Sequence, residues 1–143
     1  MKKYVNELIK ILGCEIKQPY KIDERLAVFM PKDYIEFMSI TDGLSLSISE
    51  IFSYYDLPKE NGEENDFKQK YLDAYGLDYR AYEWLFFAND GMGGYYAFRN
   101  TQDDDKVYYF DHEFPSDLKT YKTFTHFIKQ VIKDEKEIFK KSC

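Results

Sequence analysis

Cysteine and histidine are scarce in this chain, with two of each among 143 residues. Cys14 and Cys143 stand near opposite ends and form no metal-binding or redox spacing. That pattern argues against a disulfide framework or a cysteine-built zinc site, and free thiols fit a reducing cytoplasm. Long hydrophobic runs are also missing: no segment approaches the roughly 20 apolar residues of a membrane-crossing helix. The start, Met1-Lys2-Lys3-Tyr4-Val5-Asn6-Glu7, meets an acid early and does not read as a secretory signal. Positive charge is in deficit, with 20 Lys and Arg against 26 Asp and Glu and a formal net charge of −6. A nonspecific grip on nucleic acid needs clustered bases, so direct nucleic-acid binding is not expected, whereas basic protein partners are favoured.

Aromatic residues are abundant: 14 Tyr and 12 Phe stand against one Trp, and 44% of the chain is hydrophobic. Such a composition opposes disorder, and 143 residues fit one domain, 1–143, able to bury a core without disulfide or metal. Tyrosine joins an apolar ring to a polar tip and suits half-buried strands and interfaces; a homodimer is compatible with such a surface. Acid is concentrated in two stretches. Glu60, Glu63, Glu64 and Asp66 form one; Asp103, Asp104, Asp105, Asp111, Glu113 and Asp117, with only Lys106 opposing, form the other. Two readings stay open: solvated loops, or charges that steer a cationic partner.

Val5, Leu8, Ile9 and Leu12 follow helical spacing, and Gly13 ends that helix. A connector carrying Pro19 precedes a segment from Asp23 with Leu26, Val28 and Phe29 as apolar positions. Pro31 starts a helix with Tyr34, Phe37 and Met38 on its stripe, stopped by Asp42-Gly43. Residues 46–51 alternate as a half-exposed strand, 56–66 read as loop, and Phe67–Tyr75 suits a short helix. Trp84–Ala88 is an apolar strand of the buried kind. Beyond a turn at Gly91–Gly94, strands Tyr95–Arg99 and Val107–Phe110 pair as a hairpin, with Tyr96 and Phe98 on one face and Tyr95, Ala97 and Arg99 on the other. A last helix carries Tyr121, Phe124, Phe127, Ile128, Val131, Ile132 and Glu135 on one stripe, with Thr120 or Thr123 as N-cap. The order predicts an α+β fold: a mostly antiparallel sheet, N-terminal helices and a long C-terminal helix packed on the sheet.

Residues suited to catalysis are few. His112, between Asp111 and Glu113, falls short of the three or four ligands of a zinc set and reads as a strand end. His126 reads as structural or exposed. Asp103-Asp104-Asp105 lacks the alternate spacing, central glycine and distant glutamate of a calcium loop. Gly91-Met92-Gly93-Gly94 precedes a strand rather than a helix, so it reads as a bend rather than a phosphate cradle. No nucleophile motif is present. The expectation is a protein that is not an enzyme and carries no cofactor and no metal.

Met30-Pro31-Lys32-Asp33-Tyr34-Ile35-Glu36-Phe37, closing at Gly43, resembles the early helix motif of the SUKH superfamily, which includes a yeast cell-wall synthesis regulator and many bacterial immunity proteins. Phe87–Phe98 is similar to its glycine-bend strand, Val107–Glu113 to its Val-Tyr-x-x-Asp-His-Glu strand, and Thr123-Phe124-x-x-Phe127 to its final helix. The resemblance spans about residues 24 to 132. Gly94 departs from it, standing where the family often has Asp, which leaves open whether that change alters binding. The resemblance implies a cytoplasmic immunity protein that neutralises a cognate toxin, often a basic nuclease, encoded nearby. Expected contacts are Asp103, Asp104, Asp105, Asp111 and Glu113, with Tyr95 and Tyr109 as exposed anchors. The other readings are a regulatory module with a non-toxin partner, and a small-molecule binder or enzyme with a cleft near His112.

Overall fold

The computed structural model describes residues 1–19, 21–22, 30–61, 84–99, 104–111 and 119–141. The expected segment from Asp23 to Phe29 and the expected helix over 67–75, together with Asp103, His112, Glu113 and Cys143, lie outside the described residues. Two helices come first, α1 (Lys2–Leu12) and α2 (Lys32–Ile40). Strands β1 (Leu44–Ser45) and β2 (Glu50–Ile51) follow, then a short helix α3 (Leu57–Glu60). Strands β3 (Trp84–Asn89), β4 (Tyr95–Arg99), β5 (Val107–Phe110) and β6 (Lys119–Tyr121) lead to α4 (Phe124–Lys141). The six strands form one sheet in chain order, each pair antiparallel. This is the α+β arrangement expected from the chain, with each strand bonded to its sequence neighbour.

α1 buries Val5 and Leu8 and stops at Gly13, whose φ of 65° suits a residue without Cβ. α2 has Pro31 as its N-cap and buries Tyr34, Phe37 and Met38. Its stop differs from expectation. Thr41, extended at φ −142°, caps the helix, and Gly43 takes its positive φ two residues later. The Thr41 N–H closes the helix on the Phe37 carbonyl, and its hydroxyl donates to the Gly43 carbonyl and accepts from Lys17 N–H, which holds the extended segment that follows.

Residues 46–51 are not one strand. Leu46 N–H donates to Ser49 O across a tight turn, which folds the segment into the β1–β2 hairpin. The alternating pattern fits both outcomes, because a serine-rich run can also bond to itself as a turn. Leu57–Glu60 is likewise helical, with Pro58 early enough that its missing N–H costs nothing. Tyr121 belongs to β6, paired with Val107, so the last helix begins later than its stripe suggests. Thr123 caps it, with His126 N–H donating to its hydroxyl at 3.2 Å, and exposed His126 places ring Nδ1 2.7 Å from the same oxygen.

The helices cover one face of the sheet. Phe124 and Phe127 of α4 meet Tyr34 and Phe37 of α2 and Phe87 and Phe98 of the sheet; Phe87 stacks on Phe98 at 4.2 Å. A bulge between Phe86 and Ala88 lets consecutive Phe87 and Ala88 both join this core, which strict alternation would forbid. On the other face Trp84, Phe86, Ala97 and Phe110 form a second buried cluster. Burial on both faces is why β3 reads as a continuous apolar run. Beside the short strand β2, the backbone of Phe86 bonds to a side chain: its N–H donates to Asn61 Oδ1 at 2.8 Å and its carbonyl accepts from Asn61 Nδ2 at 2.9 Å.

Candidate partner-binding groove

The β4–β5 register divides the expected contact residues. Phe98 pairs with Val107 at one end of the hairpin and Tyr95 with Phe110 at the other. Asp104 and Asp105 lie beyond the first end and Asp111 beyond the second. From Lys106 to Asp111 the chain runs five residues, about 17 Å of antiparallel strand. That exceeds the roughly 8–10 Å screening length in physiological salt, so the two ends act as separate charge patches. Asp104 is occupied locally, accepting from Lys106 N–H at 3.0 Å and from the Tyr108 hydroxyl at 2.6 Å. Burial, then the bond to Asp104, pushes the Tyr108 phenol up to about 12. Asp105 is exposed and shares a shallow hollow with Pro31, Lys32, Asp33 and Thr123.

Tyr95 and Tyr109 occupy opposite faces. Tyr95 packs edge-on against Phe86, 5.8 Å away on the second cluster. Tyr109 pairs with Tyr96 and stacks on it at 4.7 Å, on the helix side. Neither is fully exposed. The Tyr109 hydroxyl donates to Asp90 Oδ2 at 2.5 Å. Burial raises its pKa, helped by the bond to Asp90 and by the charges of Asp90 and Asp111. Asp111 therefore belongs electrostatically to the end where Asp90 stands.

Asp90 organises that end. Its Oδ1 accepts from Met92 N–H and Gly94 N–H, both at 2.8 Å, and its own N–H donates to Gly94 O at 3.1 Å. These are the bonds that an aspartate ahead of glycine makes in a tight turn. Gly91 is required twice over: its φ is 76°, and a Cβ there would lie 2.0 Å from the Ile48 carbonyl oxygen. The bend thus packs directly on the β1–β2 turn. At Gly94 a Cβ would lie 2.4 Å from Asp90 Oδ2, so the Asp90 carboxylate fills the space a side chain at 94 would need.

Between the bend, the β1–β2 turn and α4 runs an open groove of about 180 Å³. Tyr96, Phe127 and Val131 contribute apolar lining, and Ile48 and Met92 on its lining are 60% and 63% exposed. Three acids line it, Asp90, Asp134 and Glu135. Glu135 is 3% exposed and takes two bonds from Ser47, at Oε1 from the backbone N–H at 3.2 Å and at Oε2 from the hydroxyl. Asp134 accepts from Gln130 Nε2 at 2.9 Å. No Lys, Arg or His lines the groove, and none of the three carboxylates has an ion-pair partner among the described residues. Burial and the nearby Tyr121, Asp90 and Asp134 raise the Tyr96 phenol, so it stays neutral at physiological pH.

Sequence reasoning missed this groove because three distant segments build it. One signal was present: Glu135 sits on the apolar stripe of its helix, and a carboxylate there needs a partner from elsewhere in the fold. Asp90 in Asn-Asp-Gly was legible as a turn residue but not as a groove wall.

Among the described residues no three His, Cys, Asp or Glu side chains are grouped to hold a metal ion, and no helix is long and apolar enough to cross a membrane. The fold thus defines the class, an α+β protein whose antiparallel meander carries helices on one face. Residues 8–130 match the family described as SMI1 / KNR4 (SUKH-1), and the chain belongs to that family. The resemblance read from the helix motif, the glycine bend and the final helix is the same assignment. No curated protein and no solved structure matches the chain at a significant level.

Proposed function

We propose that this protein is an immunity protein that binds a basic toxin domain, such as a nuclease encoded beside it, and blocks its active site or substrate path in the cytoplasm. The observation that carries the reading is the groove at the bend: an apolar lining, three carboxylates and, among the described residues, no base. Burying apolar surface supplies affinity, while unmatched negative charge speeds association with a cationic surface and sets its orientation. Asp111 and Tyr109 flank this end, with Glu113 two residues further along the chain. Asp104 and Asp105, at the far end of the hairpin, act with Asp103, their neighbour in sequence, as a separate steering patch, and Tyr95 presents the opposite face. The protein binds rather than catalyses, with no cofactor and no direct hold on nucleic acid.

Co-expression with the product of the neighbouring gene tests the reading. The expected result is restored growth and a stable complex. Changing Asp103, Asp104 and Asp105 together to Ser should slow association and flatten its salt dependence; an unchanged on-rate and salt slope removes that turn from the interface. A toxin that stays lethal and forms no complex overturns the proposal, and capture of a cellular enzyme instead would favour a regulatory module.

A further inference from the structure

Resting on the binding role just proposed, we infer that the groove at the glycine bend receives one cationic side chain, an arginine or lysine, presented by the partner protein. Its aliphatic stem lies along Tyr96, Phe127 and Val131, and its charged head meets Asp90, Asp134 and Glu135.

Size selects the occupant first. A groove of about 180 Å³ has room for a chain of several non-hydrogen atoms, such as an arginine side chain. Sites for drug-sized molecules run to roughly 300–1,000 Å³, which disfavours a metabolite. Chemistry selects it next. An apolar lining with acids around it matches a side chain whose stem is hydrocarbon and whose tip is charged. Among the described residues the three carboxylates accept bonds from neutral donors only: N–H groups and the Tyr109 hydroxyl at Asp90, Ser47 at Glu135, Gln130 at Asp134. Their negative charge is therefore uncompensated within the groove, and each carboxylate retains lone pairs for further donors. A guanidinium offers five N–H donors in a planar fork, enough to reach acceptors on more than one wall, and stacks on aromatic rings such as Tyr96. Rigid support completes the site. The bend is bonded to the Asp90 carboxylate, and the β1–β2 turn is bonded to Glu135 through Ser47, so both walls stand in place before a partner arrives.

Titration of the full ¹⁵N-labelled chain with Nα-acetyl-arginine methylamide, and with its neutral citrulline counterpart, tests the inference by amide chemical shifts. Expected are saturable shifts at Ser47, Asp90, Met92, Gly94 and Glu135 with the arginine probe and far smaller ones with citrulline. Asp134→Asn, an exposed change that keeps the oxygen facing Gln130, should weaken the probe by roughly two- to fivefold, the worth of one exposed ion pair. Equal shifts from both probes, shifts confined to other regions or none at all overturn it. Amide shifts that track protein concentration without probe, which make a second copy the occupant, overturn it as well. Probe binding without rescue from a toxin sinks the immunity role and leaves the cation site standing; rescue by a chain that ignores the probe does the reverse.

Discussion

Tyr34→Phe should stabilise this protein, although Tyr34 lies in the family-marking helix motif and at the centre of the core. The ring is fully buried and contacts Phe87, Phe98 and Phe124 at 4.9–5.6 Å, so phenylalanine keeps its apolar contacts. The hydroxyl is different: it is buried and has no hydrogen-bond partner among the described residues. A buried donor left unpaired costs about 1–3 kcal/mol, and removing it should recover about 1 kcal/mol at neutral pH once some relaxation is allowed. A second, pH-dependent effect adds to this. Burial, and then the charge of Asp42, raise the Tyr34 pKa well above its ordinary value of 10.0. The folded state then holds the phenolic proton while the unfolded state releases it above pH 10, so stability falls as pH rises. With an unfolded pKa of 10, one such group costs about 1.4 kcal/mol by pH 11, and Phe at 34 abolishes that loss. Urea unfolding at pH 7 and pH 11 reads both effects. Trp84, the sole tryptophan and buried in the second cluster, provides fluorescence remote from the substitution. The variant should lead by about 1 kcal/mol at pH 7 and about 2.4 kcal/mol at pH 11. A variant less stable by more than 1 kcal/mol at pH 7, or a gap that does not widen with pH, would refute the reasoning, since either result requires a satisfied hydroxyl or one that ionises normally.

Phe127→Ala should cost about 3–5 kcal/mol in the same assay, because its ring, 3% exposed, meets Phe87, Tyr96, Tyr121 and Phe124; a loss under 1 kcal/mol would contradict the packing of α4 on the sheet. Gly94→Ala should destabilise by about 1–3 kcal/mol, since the new methyl meets Asp90 Oδ2 and the Phe110 carbonyl. Adding Asp90→Ala should cost less in that background than alone, and a double-mutant cycle giving strictly additive losses would show that the two residues do not compete for one space.

Much of the fold was legible because its signals are local. The strand limits Tyr95–Arg99 and Val107–Phe110, and the assignment of the first strand's side chains to two faces, follow from the period of two. The stripes of α1 and α2 are equally short-range. Errors arose where local signals were compatible with two outcomes: Ser47–Ser49 suits a strand or a turn, and Tyr121 fits a helical stripe or a strand end. Long-range pairing decides these, Leu44 with Ile51 and Tyr121 with Val107. The acidic turn and Tyr109 were visible as chemistry. Their division between two ends and two faces was not, since register is a property of the assembled sheet.

The sequence by itself determined an acidic, aromatic-rich α+β chain, its central hairpin and its last helix, because composition, periodicity and turn chemistry act over a few residues; the family came from the resemblance of its motifs. Tertiary structure alone decided the groove. Ser47 and Glu135 stand 88 positions apart, and Asp90 comes from a third segment. No local pattern brings them together; what does is burial of the aromatic core, which seats α4 across the sheet and sets Glu135 against Ser47, beside the bend that Asp90 holds.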